Sequence, residues 1–170
     1  MAKPAFKDTV LASKEFLYFF GMFHAAWASV DSAIDMLIGK HLKIEPVETH
    51  ILTSGMMFGA KARLLRELVR RGTSPNKPKI IAALNNLQNK GKRNQFAHSY
   101  IGASATEVCF LERLSGGDFA VKEHTFTLET FKAHVKSFTD SGKDLWNYSG
   151  LTAEDQAAFF IALEREVKSS

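Results

Sequence analysis

Apolar positions return at helical spacing along most of this chain, and the spacing changes only once. From about Phe6 to Leu42 nothing but Gly21 and Gly39 interrupts a run in which Trp27, Val30, Ile34, Leu37 and Ile38 recur every three or four residues. That pattern predicts a long first helix, with Gly21 as the place for a bend. Pro46 marks a turn, and a second helix is expected from about Val47 to Arg71, burying Ile51, Leu52, Met56, Leu64, Leu65 and Leu68. The run Gly72-Thr73-Ser74-Pro75-Asn76, followed by Pro78, reads as a loop. A third helix then extends from about Pro78 to Asn89 with Ile80, Ile81, Leu84 and Leu87 inward, stopped at Gly91.

The period shifts towards two after Thr106. Residues 107–114 and 119–126 are β-prone, and Ser115-Gly116-Gly117-Asp118 joins them as the turn of a hairpin. The glycine pair lacks the lysine and following helix of a phosphate loop. Helical spacing resumes from about Leu128 to Trp146, carrying Phe131, Val135, Phe138 and Leu145 behind Thr127 as N-cap. Asn147-Tyr148-Ser149-Gly150 breaks it, and Thr152 caps a last helix through Phe159, Phe160, Leu163 and Val167. The sequence therefore predicts one domain over 1–170: about five helices with a small β-hairpin inserted at about 106–126.

Composition narrows the function classes. With 170 residues and 45% hydrophobic content, the chain buries a core without metal or disulfide staples. Cys109 is its one cysteine, which excludes an internal disulfide framework and multi-thiolate metal sites. The most apolar run, Phe16 to Val30, has neither the length of a membrane span nor the layout of a signal peptide. The expectation is a cytoplasmic protein with no membrane association and no cofactor.

The net charge of +4 conceals an uneven distribution. Between Lys61 and Arg93 stand ten lysines or arginines and one acid, Glu67, whereas the rest of the chain is net acidic. Such a block attracts a polyanion, with nucleic acid the leading class, although part of it also complements a helix C-terminus. Elsewhere, Asp31 and Asp35 lie one helical turn apart. Two carboxylates so placed serve as acid and base, hold a metal, or partner a cation; no third ligand is evident. Phe16, Phe19, Phe20 and Phe23 form a stripe suited to core or to an oligomer interface.

The densest chemistry lies in Lys90-Gly91-Lys92-Arg93-Asn94-Gln95-Phe96-Ala97-His98-Ser99-Tyr100. If Gly91 opens a fresh helical turn or two, Asn94 and His98 share a face, and Arg93 lies roughly 140° around from His98. Phe96, Ala97, Tyr100 and Ile101 would anchor the other side in the core. Arg93 offers a planar fork for phosphate and favours the neutral, basic form of the His98 imidazole, and Asn94 can orient either group. His24, His41, His50, His124 and His134 lack metal-motif spacing and are expected to be structural or superficial. Arg93, Asn94 and His98 suffice for one half of RNA cleavage: His98 takes the proton of a ribose 2′-hydroxyl, and Arg93 stabilises charge developing on phosphorus. The departing 5′-oxygen needs an acid, which a two-fold copy of the stretch would supply, with the first and third helices as candidate interfaces.

Arg93-Asn94-Gln95-Phe96-Ala97-His98 resembles the R-x4-6-H signature of HEPN domains, and the helical surroundings from about Phe16 to Ile101 agree with it. The resemblance implies an all-α, up-and-down helical bundle that dimerises with its two motifs facing each other. It also implies a metal-independent endoribonuclease of toxin, defence or RNA-processing systems. Arg93, Asn94 and His98 would form the catalytic set, with Lys61, Arg66, Arg70, Lys90, Lys92 and Tyr100 contacting substrate. RNA, a second copy of the chain, and an antitoxin or nucleotidyltransferase-type protein are the expected partners; the hairpin is a departure from the bundle. The alternative is a non-catalytic HEPN-like module that binds a nucleotide, RNA or a protein.

Overall fold

The computed structural model describes residues 13–91, 96, 99–104, 106–114 and 120–169. The start of the expected first helix, the turn at 115–118, and Lys92, Arg93, Asn94 and His98 of the expected site lie outside these residues. The chain is mostly helical with a small antiparallel sheet: α1 (Lys14–Leu42), α2 (Pro46–Thr53), α3 (Phe58–Arg71), α4 (Lys77–Lys90), β1 (Tyr100–Ala103), β2 (Glu107–Leu114), β3 (Ala120–Thr127), α5 (Leu128–Ser149) and α6 (Ala153–Ser169). Among the described residues no helix is long and apolar enough to cross a membrane.

Local chemistry sets these boundaries. The Ser13 hydroxyl caps α1 by accepting from the Phe16 amide at 3.1 Å, and α1 continues through Gly21 without interruption. The expected second helix is two. Thr49 and Thr53 turn their hydroxyls back onto the Glu45 and Thr49 carbonyls, and the weak helix formers Ser54 and Gly55 follow. As a result α2 presents Thr49 and Thr53 to the interior, while Ile51 and Leu52, expected inside, are exposed. Gly39 of α1 explains the choice, since α2 approaches so closely there that a Cβ would overlap Thr49. Asn147 to Ser149 continue α5 rather than breaking it, and the chain turns at Gly150. A reciprocal cap opens α6: the Asp155 amide donates to Thr152 Oγ1 at 3.1 Å, and the Thr152 amide donates to Asp155 Oδ2 at 3.0 Å.

The hairpin proves to be part of a three-stranded sheet of order β1-β2-β3. Tyr100 pairs with Leu111 and Ala103 with Val108, while across the second ladder Val108 faces Phe126 and Phe110 faces His124. Tyr100 and Ile101, expected to anchor the motif in the core, are instead 57% and 46% exposed. They open β1, an outer strand of the sheet, which leaves them without a second neighbouring strand.

Helices α1, α3, α4 and α5 pack around one core, with Ile34, Leu37, Leu65, Leu84, Leu87 and Leu145 fully buried. At the sheet end the core becomes aromatic. Phe16 and Phe23 of α1, Phe96, Phe110 of β2 and Phe131 and Phe138 of α5 are all buried, with centroid separations such as 4.8 Å for Phe16–Phe131 and 4.7 Å for Phe96–Phe110. Offset and edge-on pairs at these distances stabilise beyond area burial alone. Replacing Phe96 by alanine should therefore cost about 3–5 kcal/mol in urea unfolding, against less than about 1 kcal/mol for the half-exposed Phe160. Equal losses at the two positions would show that Phe96 is not an anchor.

Candidate functional site

Two fixed points frame the stretch from Lys90 to Tyr100. The first is Gly91, whose carbonyl accepts from the Trp27 indole N–H at 3.4 Å, tying the end of α4 to the middle of α1. Trp27 is itself backed by the Phe58 ring of α3 at 5.1 Å. A Cβ at Gly91 would stand 2.5 Å from the Leu87 carbonyl oxygen and 3.1 Å from the Phe138 ring, so only glycine fits without displacing its neighbours. The second fixed point is Phe96, 1% exposed, with Phe23 at 5.0 Å, Phe110 at 4.7 Å, and Phe126 and Phe131 at 5.8 Å.

The expected substrate cations separate into distinct environments. Arg70 is exposed and pairs with Glu67, and Arg66 is half-buried and donates to the Gln88 side-chain oxygen. Lys90 is half-buried and donates to the Ser137 hydroxyl. Tyr100 is exposed on the edge strand, and Ser99 beside it is half-buried. Arg63, Arg71 and Lys79 add exposed charge along α3 and the start of α4.

Lys61 is the exception, because it is only 5% exposed and its ammonium lies inside. Its Nζ donates to Asp31 Oδ2 at 3.0 Å and to Asp35 Oδ2 at 2.9 Å. The two carboxylates thus serve as partners of a buried cation from α3, and Lys61 does not face the surface as a substrate contact. Burial works against the Lys61 charge, but the two carboxylate hydrogen bonds outweigh it and hold the proton more tightly than usual. Burial pushes the Asp35 carboxyl up, with Lys61 opposing and the Asp31 charge adding to it. One ammonium cannot neutralise two carboxylates, so the Asp31 charge adds to the larger effect of burial on Asp35.

Among the histidines, two meet phenylalanine rings of the aromatic cluster. His134 of α5 lies 5.4 Å from Phe96 and 5.9 Å from Phe23, and His24 of α1 lies 5.6 Å from Phe23. His124 contacts Glu112 across the sheet at 3.1 Å. Burial, with Lys40 nearby, lowers the pKa of His41, and His50 is exposed. The signal for His134 was present in the spacing: it sits three residues after Phe131 and four before Phe138, on the face that α5 turns inward. Among the described residues no group of three metal-ligating side chains is assembled.

Compared with known proteins, the chain matches no protein-family model, no curated protein and no solved structure.

The triad makes a stability prediction with a defined sign. Lys61→Met strands two half-buried carboxylates and should cost up to about 3 kcal/mol at pH 7 by urea unfolding, whereas Asp35→Asn leaves a one-to-one pair and should cost less than half as much. Because the native state holds the Asp35 proton above its ordinary 3.8, it binds more protons than the unfolded chain in that window, so stability declines as pH rises through it. Asp35→Asn should remove that decline. The Lys61 contribution runs at the other end: it is complete below the ordinary 10.5 and is lost as pH climbs past the raised native value.

Proposed function

We propose that this protein is a metal-independent endoribonuclease whose catalytic set is Arg93, Asn94 and His98. The observation that carries the reading is the anchoring of Phe96: the phenylalanine inside the Arg93–His98 stretch is buried among rings from α1, β2, β3 and α5. A reactive group works only when a rigid surround holds it, and this stretch is attached to such a surround at its centre. Further support comes from the exposed cations Arg63, Arg70, Arg71 and Lys79, which face one acid, Glu67, between residues 61 and 91. That surface suits a polyanion.

His98 takes the proton of the ribose 2′-hydroxyl, and the 2′-oxygen attacks phosphorus. Arg93 stabilises the added negative charge, Asn94 orients its neighbours, and the 5′-oxygen leaves with a proton from an acid, giving a 2′,3′-cyclic phosphate. His98 of a second copy is the natural acid. Helix α1 offers a surface for that copy, since no charged residue occurs between Glu15 and Asp31 and the exposed positions Leu17, Tyr18, Gly21, Met22, Ala25 and Ala28 form an uncharged strip. A toxin or defence setting follows from the same chemistry, with an antitoxin or nucleotidyltransferase-type protein as the restraining partner.

Wild type incubated with mixed RNA in EDTA should yield cyclic phosphate ends, and His98→Ala should lower the rate by about 10²–10⁴-fold. Binding without cleavage would leave the non-catalytic module in its place. Light scattering at micromolar concentration should give a dimer, and the double variant Tyr18→Glu, Met22→Glu a monomer that does not cleave; a wild-type monomer removes the shared cleft.

A further inference from the structure

We infer that the groove between α1 and α5 binds an aliphatic monocarboxylate, with its head at Lys143 and its chain running towards Phe19; this goes beyond the RNA chemistry and does not depend on it. Two adjoining cavities, of about 340 and 510 Å³, share Thr139 and Lys143. Space on this scale takes a small organic molecule. From Phe19 to Ser29 the groove follows α1 for about 15 Å, long enough for an extended chain of medium length. Beside the smaller cavity the two helices touch: a Cβ on Gly142 would stand 2.8 Å from Val30 Cγ2. No larger residue fits at 142 without parting the helices, so direct contact of α5 on α1 sets the width of the groove there.

The polarity of the groove is divided between its ends. Phe19, Met22 and Val135 give the larger cavity its apolar lining. The charges around it are already matched: Lys132 pairs with Glu15 at 2.6 Å and Glu129 at 3.1 Å, and Lys136 pairs with Asp140 at 2.6 Å. At the other end Ser29, Lys143 and Gln156 bring a hydroxyl, an ammonium and an amide to one cavity, and no carboxylate lines it. Among the described residues these three side chains make no hydrogen bond or ion pair of their own. The Lys136 hydrogen bond, with Lys143 nearby, holds the Asp140 carboxyl below its ordinary range, yet Asp140 is paired to Lys136 and not to Lys143. One unmatched ammonium suits one negative charge, and a carboxylate can accept from an ammonium, a hydroxyl and an amide at once. A doubly charged head would exceed the single cation, and an uncharged head would gain nothing from it. The apolar lining then takes the methylene chain, whose burial is favourable in proportion to its area.

Decanoate, decanol and decyltrimethylammonium, each kept below the concentration at which it self-associates, test this by isothermal titration of wild type, Lys143→Met and Lys143→Arg. Lys143 is exposed, so both variants should fold as wild type does. Decanoate should bind wild type about tenfold more tightly than decanol, and the cationic probe should bind least well. Lys143→Met should erase the advantage of decanoate over decanol, and Lys143→Arg should keep most of it. By NMR of methyl-labelled wild type, decanoate should shift the Met22 signal and leave that of Met36, buried in the core, in place. Decanoate no tighter than decanol, an advantage that survives Lys143→Met, or a Met22 signal unmoved at saturation would each overturn the inference. Failure of decanoate to bind overturns it as well, and in a wild-type dimer that failure would assign the groove to the second copy. RNA cleavage enters none of these readouts, so the nuclease reading can fall while this one stands, and the reverse.

Discussion

The contact on which the rest of this fold depends is the meeting of phenylalanines around Phe96. They come from α1, from two strands and from α5, elements far apart in sequence, and each contributes a ring that the others need in order to be dry. Aromatic rings are large and rigid, so a cluster of them fixes the angles between the elements that carry them more tightly than aliphatic packing of equal area. The sheet is too small to stand alone, and it is held because Phe110 and Phe126 are held. The stretch between α4 and β1 is therefore secured at its middle as well as at Gly91.

The electrostatic organisation is a partition between inside and outside. The excess of cations between residues 61 and 93 is not uniform in role, since the first of them is spent within the fold on two carboxylates of α1. The remaining described cations lie along α3 and α4, where most reach solvent. Lys61 and the exposed arginines share one helix. Lys61 locks α3 against α1 in a single register, because shifting either helix by one residue would strand three charges. The outer arginines are thereby presented from a helix that cannot rotate about its axis.

Periodicity made most of the helices legible, since the residues that return every three or four positions in α1, α4 and α5 are those that point inward. It misled where a polar group took an apolar place. Ile51 and Leu52 keep helical spacing yet face solvent, because α2 turns Thr49 and Thr53 inward where it closes on Gly39, and a close helix contact leaves no trace in hydropathy. Tyr100 and Ile101 read as a core anchor because they follow Phe96, and the change to strand alternation between them could not be seen without the partner β2. Asp31 and Asp35 were recognised as a pair, but their partner lies 26 residues beyond Asp35, and nothing local distinguishes Lys61 from its exposed neighbours. His134 is the opposite case: motif spacing is silent on it, while its position between Phe131 and Phe138 sets it beside the aromatic cluster.

Helix α1 ties these features together in mechanical terms. Its 29 residues span about 43 Å as one continuous rod. Along that rod sit two rings of the aromatic cluster, the indole that holds Gly91, both carboxylates of the triad and, on the far side, the uncharged exposed strip. A load applied to the strip reaches the Phe96 cage without crossing a hinge, and it arrives through Phe23. The outer face of α1 and the inner seat of the Lys90–Tyr100 stretch consequently behave as two sides of one beam, so neither can be altered in isolation from the other.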